Sequence, residues 1–392
     1  MRTFYINPFY MFAAVFSVGM FLFQLELSTL YYSLGNGPAQ LTMILIIISS
    51  VIFGVLYKVK LGRFVRHSTP EDSTKFNVVM VSLFIVFGVA LEIAAAGVVP
   101  ILMVISGTSY YYRDFGIASF HVFFLSYVSA SAIVGFERFL LFRSKRNLLI
   151  TFLGLLFSVL IVNRAAMMMI LVPCFYLYLA QNKNVKATVF MVTLFIGMIL
   201  LFGFLGDKRM KSSGYTDERP IFTVAKINSP LLESLPSGFT WFYVYISSPY
   251  ANLLNQEKNA RHGRSDAFEF MSIAILPDFI SKRVDPTVRD RFPVVLVSPE
   301  LTVTTGFGWA LSSYGILGVV LTYIYMCFLI IFFTFVNRKK HVRSVAAILA
   351  TTASLMVFDN MFVFAACVMQ LILISVFSSR KLSLFGKTVN LL

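Results

Sequence analysis

The sequence predicts an all-α polytopic membrane protein with about ten transmembrane helices, and three observations carry that expectation. Of its 392 residues, 58% are hydrophobic and only 13% are charged, with a mean hydropathy of +0.80. Apolar runs of about 17–25 residues, the length that crosses a hydrocarbon core of roughly 30 Å, recur along the chain. Lys and Arg gather in the segments between alternate runs.

The runs fall at 9–30, 40–57, 76–99, 118–140, 147–162, 165–180, 187–205, 307–336, 344–358 and 360–378. The first lacks a small-residue cleavage site and precedes further spans, so it reads as a retained helix. Residues 147–180 would make one helix of about 51 Å, too long for a single span. They divide instead into two short helices that meet at Asn163-Arg164, which leaves RSKR (143–146) and QNKNVK (181–186) on one side. The expected organisation is an N-terminal transmembrane bundle of about seven helices over 1–205, a large outer loop over 206–306, and about three transmembrane helices over 307–392.

Charge sets the orientation. One face collects Arg2; Lys58, Lys60, Arg63, Arg66 and Lys75; Arg138, Arg143, Lys145 and Arg146; Lys183 and Lys186; Arg338, Lys339, Lys340 and Arg343; Arg380, Lys381 and Lys387, against only Glu71, Asp72 and Glu137. Short loops rich in Lys and Arg stay in the cytoplasm, so both termini are expected there. The other bases and acids nearly cancel. The net charge of +15 is therefore a topology signal and not a nucleic-acid footprint. The three cysteines, Cys174, Cys327 and Cys367, lie inside apolar runs, which implies neither a disulfide framework nor a thiolate metal site.

The outer face carries the functional signals. Residues 235–254, LPSGFTWFYVYISSPYANLL, are aromatic and broken by Pro249, which suggests an interfacial or re-entrant segment covered by protein. Basic clusters surround it: Lys208, Arg209 and Lys211, then Arg261-His262-Gly263-Arg264, Lys282-Arg283, and Arg289 with Arg291. A smaller loop, 97–121, places three tyrosines ending at Tyr112 before Arg113-Asp114. Trp241 and Trp309 fall on the same side. Glu26, Glu92 and Asp359 lie within or at the outer ends of spans, where ionisable groups usually face a bundle interior or a watery cavity. No GxxxxGK[ST] loop, dinucleotide glycine fingerprint, HExxH or GxSxG is present, so nucleotide-driven transport and hydrolase chemistry lose support.

Three stretches carry a family resemblance: VNRAAMMMILVP (162–173), WFYVYISSPYANL (241–253) and GFGWALSSYGILGVV (306–320). With the helix count and the late outer loop, the whole chain resembles the oligosaccharide repeat-unit (O-antigen, Wzy-type) polymerases, relatives of the O-antigen ligases. The ligases' histidine before the late helix is missing, with Thr304 and Thr305 in that neighbourhood, which favours a polymerase.

The resemblance implies a GT-C-like ligase/polymerase architecture in the bacterial inner membrane, with the large loop in the periplasm. It implies transfer of a growing chain from undecaprenyl pyrophosphate to an incoming lipid-linked repeat unit, without metal or cofactor. Donor and acceptor are then both undecaprenyl-pyrophosphate-linked oligosaccharides, with membrane lipid and a chain-length regulator protein as further partners. The alternatives are a flippase for the lipid-linked oligosaccharide, or a ligase.

For such chemistry a permanently charged fork suits the diphosphate. Arg164 at the mouth of a helical hairpin, beside Ala165 and Ala166, is the first candidate; its competing role is to snorkel and end a helix. His262 near Asp266 is a candidate general base, with Arg264 and Arg261 as phosphate ligands; a solvated loop turning at Gly263 competes. Arg113, Tyr112, Tyr243, Tyr245, Lys208 and Arg209 are candidate substrate contacts, and Glu26, Glu92, Asp266 and Asp359 supporting acids. Glu26, Glu92 and Asp359 are alternative proton acceptors or partners for Arg164, with internal ion pairing as the competing role.

Overall fold

Helix starts follow local chemistry. In α1 (Pro8–Gln24) the Asn7 side chain accepts from the Phe9 and Tyr10 N–H groups and Pro8 occupies the first turn, where its missing N–H costs nothing. The computed structural model describes residues 2–68, 77–106, 115–182, 185–212, 214–259, 265–379, 381–384 and 387–390. After α1 come α2 (Pro38–His67), α3 (Val78–Ala96), the short α4 (Pro100–Ile105), α5 (Phe120–Phe142), α6 (Lys145–Leu160), α7 (Arg164–Gln181) and α8 (Val185–Ser212). A layer of shorter helices follows: α9 (Pro220–Val224), α10 (Pro230–Ser234), α11 (Ser237–Asn259), α12 (Ala267–Ala274), α13 (Asp278–Val284) and α14 (Val288–Arg291). The chain then returns through α15 (Gly308–Val336), α16 (Val342–Leu355) and α17 (Ala365–Ser379) to an antiparallel pair, β1 (Lys381–Leu384) and β2 (Lys387–Asn390).

This is an all-α membrane protein with one short C-terminal hairpin. Among the described residues five helices (α2, α3, α5, α7 and α15) are long and apolar enough to cross a membrane, and α1, α16 and α17 are shorter apolar helices. The hairpin expected at Asn163-Arg164 is present: α6 ends at Leu160, Val162 takes a φ of 55°, and Asn163 caps α7.

α16 is the central helix. Every residue from Ser344 to Ser354 is buried, and it packs against α1, α7 and α15. Ala346, Ala347, Ala350 and Ala353 let neighbouring backbones approach closely, as association inside lipid favours. At its start Arg343 pairs with Glu137 of α5 at 3.6 Å and donates to the Val65 carbonyl of α2 at 3.1 Å, while Ser344 donates to Glu137. The basic ends of α2, α5 and α16 thus meet at one end of the bundle. The other end, where α1 finishes and α2 starts, is the loop face.

The loop face departs from the sequence expectation in four places. α11 runs unbroken through Pro249 and lies across the ends of three helices. Its first turns cross α8, where a Cβ on Gly203 would sit 2.2 Å from the Gly238 Cα, and the Trp241 indole donates to Asp207 at 2.8 Å. Midway, Tyr31 and Ser247 share a hydrogen bond of 3.0 Å; beyond, Glu257 accepts from the Ala39 N–H at 2.6 Å. Burial from Ser247 to Gln256 holds the helix through the bond that the proline removes.

The run 307–336 is two helical pieces. Gly315 has φ 63° and ψ −153°, a region essentially reserved for glycine. The chain folds back there, so a Cβ on Gly318 would meet the Ala310 carbonyl oxygen at 2.4 Å. Phe307 packs on Phe12 and Phe16 at 6.1 and 5.8 Å, and Tyr323 also lies 6.2 Å from Phe12. Residues 308–314 therefore form a short arm that rises from mid-bundle before the span descends.

The spans expected at 344–358 and 360–378 are shorter as well: α16 stops at Leu355, α17 starts at Ala365, and no helix covers 356–364. Likewise the first span ends at Gln24, which leaves Glu26 in a turn with φ 50° and not in a helix.

Candidate functional site

Two non-helical segments meet beneath the loop-face layer, where surrounding protein must satisfy their backbone groups. The Gly306 N–H, at the foot of the arm, donates to the Met356 carbonyl at 2.7 Å. Val357 lies beside Gly19, which places the 356–364 break below the loop-face end of α1. The layer of short helices closes over it: Asn360 donates to the Ala274 carbonyl at 2.8 Å, the Asp278 N–H to Val363 at 2.7 Å, and the Asp278 carboxylate caps α17 by accepting from the Ala365 N–H at 2.7 Å.

In this junction stand Asp359 and Arg289. One Asp359 oxygen accepts from the Asn360 N–H at 2.7 Å; the other hydrogen-bonds to no described residue. Arg289, half-buried on α14, stacks over the Trp309 ring at 5.1 Å, and its five donors have no hydrogen-bond acceptor among the described residues. Burial pushes the Asp359 carboxyl above its ordinary 3.8; Arg289 works against that and Asp278 adds to it. A half-buried guanidinium without an acceptor is the arrangement a bound anion completes.

The neighbouring cations are already engaged. Arg291 is forked between Asp285 at 2.5 Å and Glu269 at 3.1 Å, and this guanidinium holds the Asp285 carboxyl below its usual value. Lys282 pairs with Asp278 at 3.1 Å, and Arg283 donates to the Phe279 carbonyl at 2.5 Å and reaches Ser119 at 3.4 Å.

The residues singled out from sequence distribute as follows. Arg164 is the first residue of α7, exposed on the loop face, with the Asn163 side chain accepting from Ala166 at 3.0 Å. Met169, five residues on, touches Cys367 of α17 at 3.5 Å, so Arg164 stands about 7.5 Å farther along the axis. Glu92 is fully buried and pairs with His121 at 2.8 Å, not with Arg164. Asp266 forms a capping box with Glu269 at the start of α12, which occupies its carboxylate locally.

Tyr243 is buried, its hydroxyl accepting from the Leu27 N–H at 3.1 Å, so it anchors α11 to the turn after α1 and is not displayed to a ligand. Tyr245 is half-exposed against Trp241 and Phe202. Lys208 and Arg209 are exposed in the last turns of α8. Tyr112, Arg113, Arg261, His262 and Arg264 lie outside the described residues.

Sequence reasoning passed over Arg289 and Trp309 as a site. Arg289 reads as one more loop cation, and only the fold-back at Gly315 brings Trp309 beneath it. No protein-family model matches the chain, and neither a curated protein nor a solved structure does.

Proposed function

We propose that this protein is a membrane glycosyltransferase that polymerises undecaprenyl-pyrophosphate-linked oligosaccharide repeat units into a surface polysaccharide such as O-antigen. The observation that carries this reading is the half-buried Arg289 guanidinium near Asp359, without a hydrogen-bond acceptor among the described residues, in the loop-face layer where a lipid diphosphate headgroup would lie. A diphosphate is a stable leaving anion, so it asks for fixed positive charge at the headgroup level more than for a proton. Arg164 and Lys208, exposed at the same face, supply further charge for drawing the substrate in. The loop face is then periplasmic and the basic end cytoplasmic, in a bacterial inner membrane of about ten spans. His262 and Arg264, outside the described residues, remain candidates.

The test is to place purified protein in lipid nanodiscs with a defined undecaprenyl-diphosphate oligosaccharide and resolve the products by size. A ladder spaced by one repeat unit supports the reading; bound substrate recovered unchanged refutes it.

Helix breaks at Gly315 and 356–364 also suit a transporter for the same lipid, since carriers bind at discontinuous helices. Both breaks lie in the last third, whereas a carrier built from repeats would place a matched pair in each half. Flipping of a fluorescent lipid-linked sugar in proteoliposomes, with no ladder, would favour the carrier.

A further inference from the structure

We propose that Asp359 is the general base of this transfer, taking the proton of the acceptor sugar's attacking hydroxyl while Arg289 holds the donor's diphosphate. The inference rests on the transferase reading above and names the residue that performs its proton step.

The geometry selects Asp359 over the other acids at this face. Both oxygens of Asp278 are used, one by the Ala365 N–H and one by Lys282. Glu92 is sealed against His121, and Asp285 and Glu269 are spent on Arg291. Asp359 alone joins a position in the break to an oxygen that no described residue occupies. Its backbone is fixed by the bonds that hold Met356, Asn360 and Val363 to the surrounding layer, so the carboxylate is aimed by rigid neighbours. Arg289 is near enough to favour the ionised carboxylate and forms no ion pair with it. The Trp309 ring beneath Arg289 leaves the guanidinium edge for phosphate oxygens.

The step balances. The acceptor hydroxyl oxygen forms a bond to the donor's anomeric carbon as its O–H proton passes to the Asp359 carboxylate. The bond between that carbon and the phosphate oxygen breaks, and its electron pair leaves on the diphosphate. The protonated Asp359 then returns its proton to water or to the departing diphosphate.

A base of this kind works only when deprotonated, so turnover falls as the pH drops through the pKa of Asp359. Burial and Asp278 set that value above the ordinary one, and Arg289 restrains it.

The experiment compares wild-type protein with Asp359→Asn and Asp359→Glu in nanodiscs. It measures ladder formation from pH 5 to 9 and, separately, retention of radiolabelled undecaprenyl-diphosphate oligosaccharide. Asp359→Asn is expected to lose at least about 100-fold in turnover, to retain binding, and to lose the acid limb of the rate profile; Asp359→Glu is expected to recover part of the rate with the limb displaced. Asp359→Asn turning over at the wild-type rate, keeping the acid limb, or failing to bind substrate would overturn the assignment. Should Asp359→Asn not reach the membrane, the Asp359→Glu limb decides alone, displaced in support or unmoved against. A wild-type ladder with an unaffected variant sinks only this inference; no wild-type ladder sinks the transferase reading and this with it.

Discussion

Replacing Arg289 by alanine tests the anion site through two independent readouts. The guanidinium has no hydrogen-bond acceptor among the described residues, so its removal orphans no described acceptor and costs the fold only the stacking on Trp309. What is lost is its bond to the diphosphate. A hydrogen bond to a charged group contributes about 1.5–3 kcal/mol. At about 1.4 kcal/mol per tenfold, that is roughly a 10- to 150-fold fall in kcat/KM. The second readout is electrostatic. Burial raises the Asp359 carboxyl, and the positive charge of Arg289 opposes that. Without it the carboxyl titrates higher, and the acid limb of the rate profile moves to higher pH. Arg289→Lys restores charge but not the planar fork, so the limb should return while part of the kcat/KM deficit persists. Initial rates of ladder formation, measured over substrate concentration and pH, separate the two effects. An Arg289→Ala enzyme with unchanged kcat/KM and an unmoved limb would refute the reasoning.

Three further outcomes follow from the packing. Glu137→Ala strips the partner from Arg343, whose side chain is 14% exposed; breaking a buried pair costs about 3–5 kcal/mol, read as a lower Tm of the detergent-solubilised protein. Gly203→Val would drive a Cβ to 2.2 Å from the Gly238 Cα and prise α11 from α8, an overpacking cost of about 1–3 kcal/mol or more that should also appear in Tm. Acidification should loosen the α12–α14 layer. The Arg291 guanidinium holds the Asp285 carboxyl below its ordinary 3.8, so its contribution is present at neutral pH and is lost as pH falls from about 4 toward that lowered value. Tryptophan fluorescence of Trp309 should report the change, and Arg291→Ala should abolish its pH dependence.

The parts of the fold that depend on local pattern were legible. Length and flanking charge were enough to divide 147–180 at Asn163-Arg164, because a span that is too long has few solutions. Glu92 was readable as an internal ion pair, since a carboxylate at that depth needs a partner, although the partner is His121 and not Arg164. The Gly315 fold-back was hidden: a positive φ leaves no trace in a run as apolar as 307–336. Pro249 pointed toward a broken segment, yet packing by α1, α2 and α8 holds α11 continuous. Arg289 and Asp359 are 70 residues apart, and their proximity depends on that fold-back and on the break at 356–364.

The most direct test of the account is which side of the membrane the Arg289 layer faces. Cysteine introduced at Lys282, 71% exposed, should react with a membrane-impermeant maleimide added to intact spheroplasts, against a low background from buried Cys174 and Cys367 and half-buried Cys327. Labelling in intact cells is the expected result. Labelling that occurs only after the membrane is opened would put the layer in the cytosol, out of reach of the lipid diphosphate it is argued to bind.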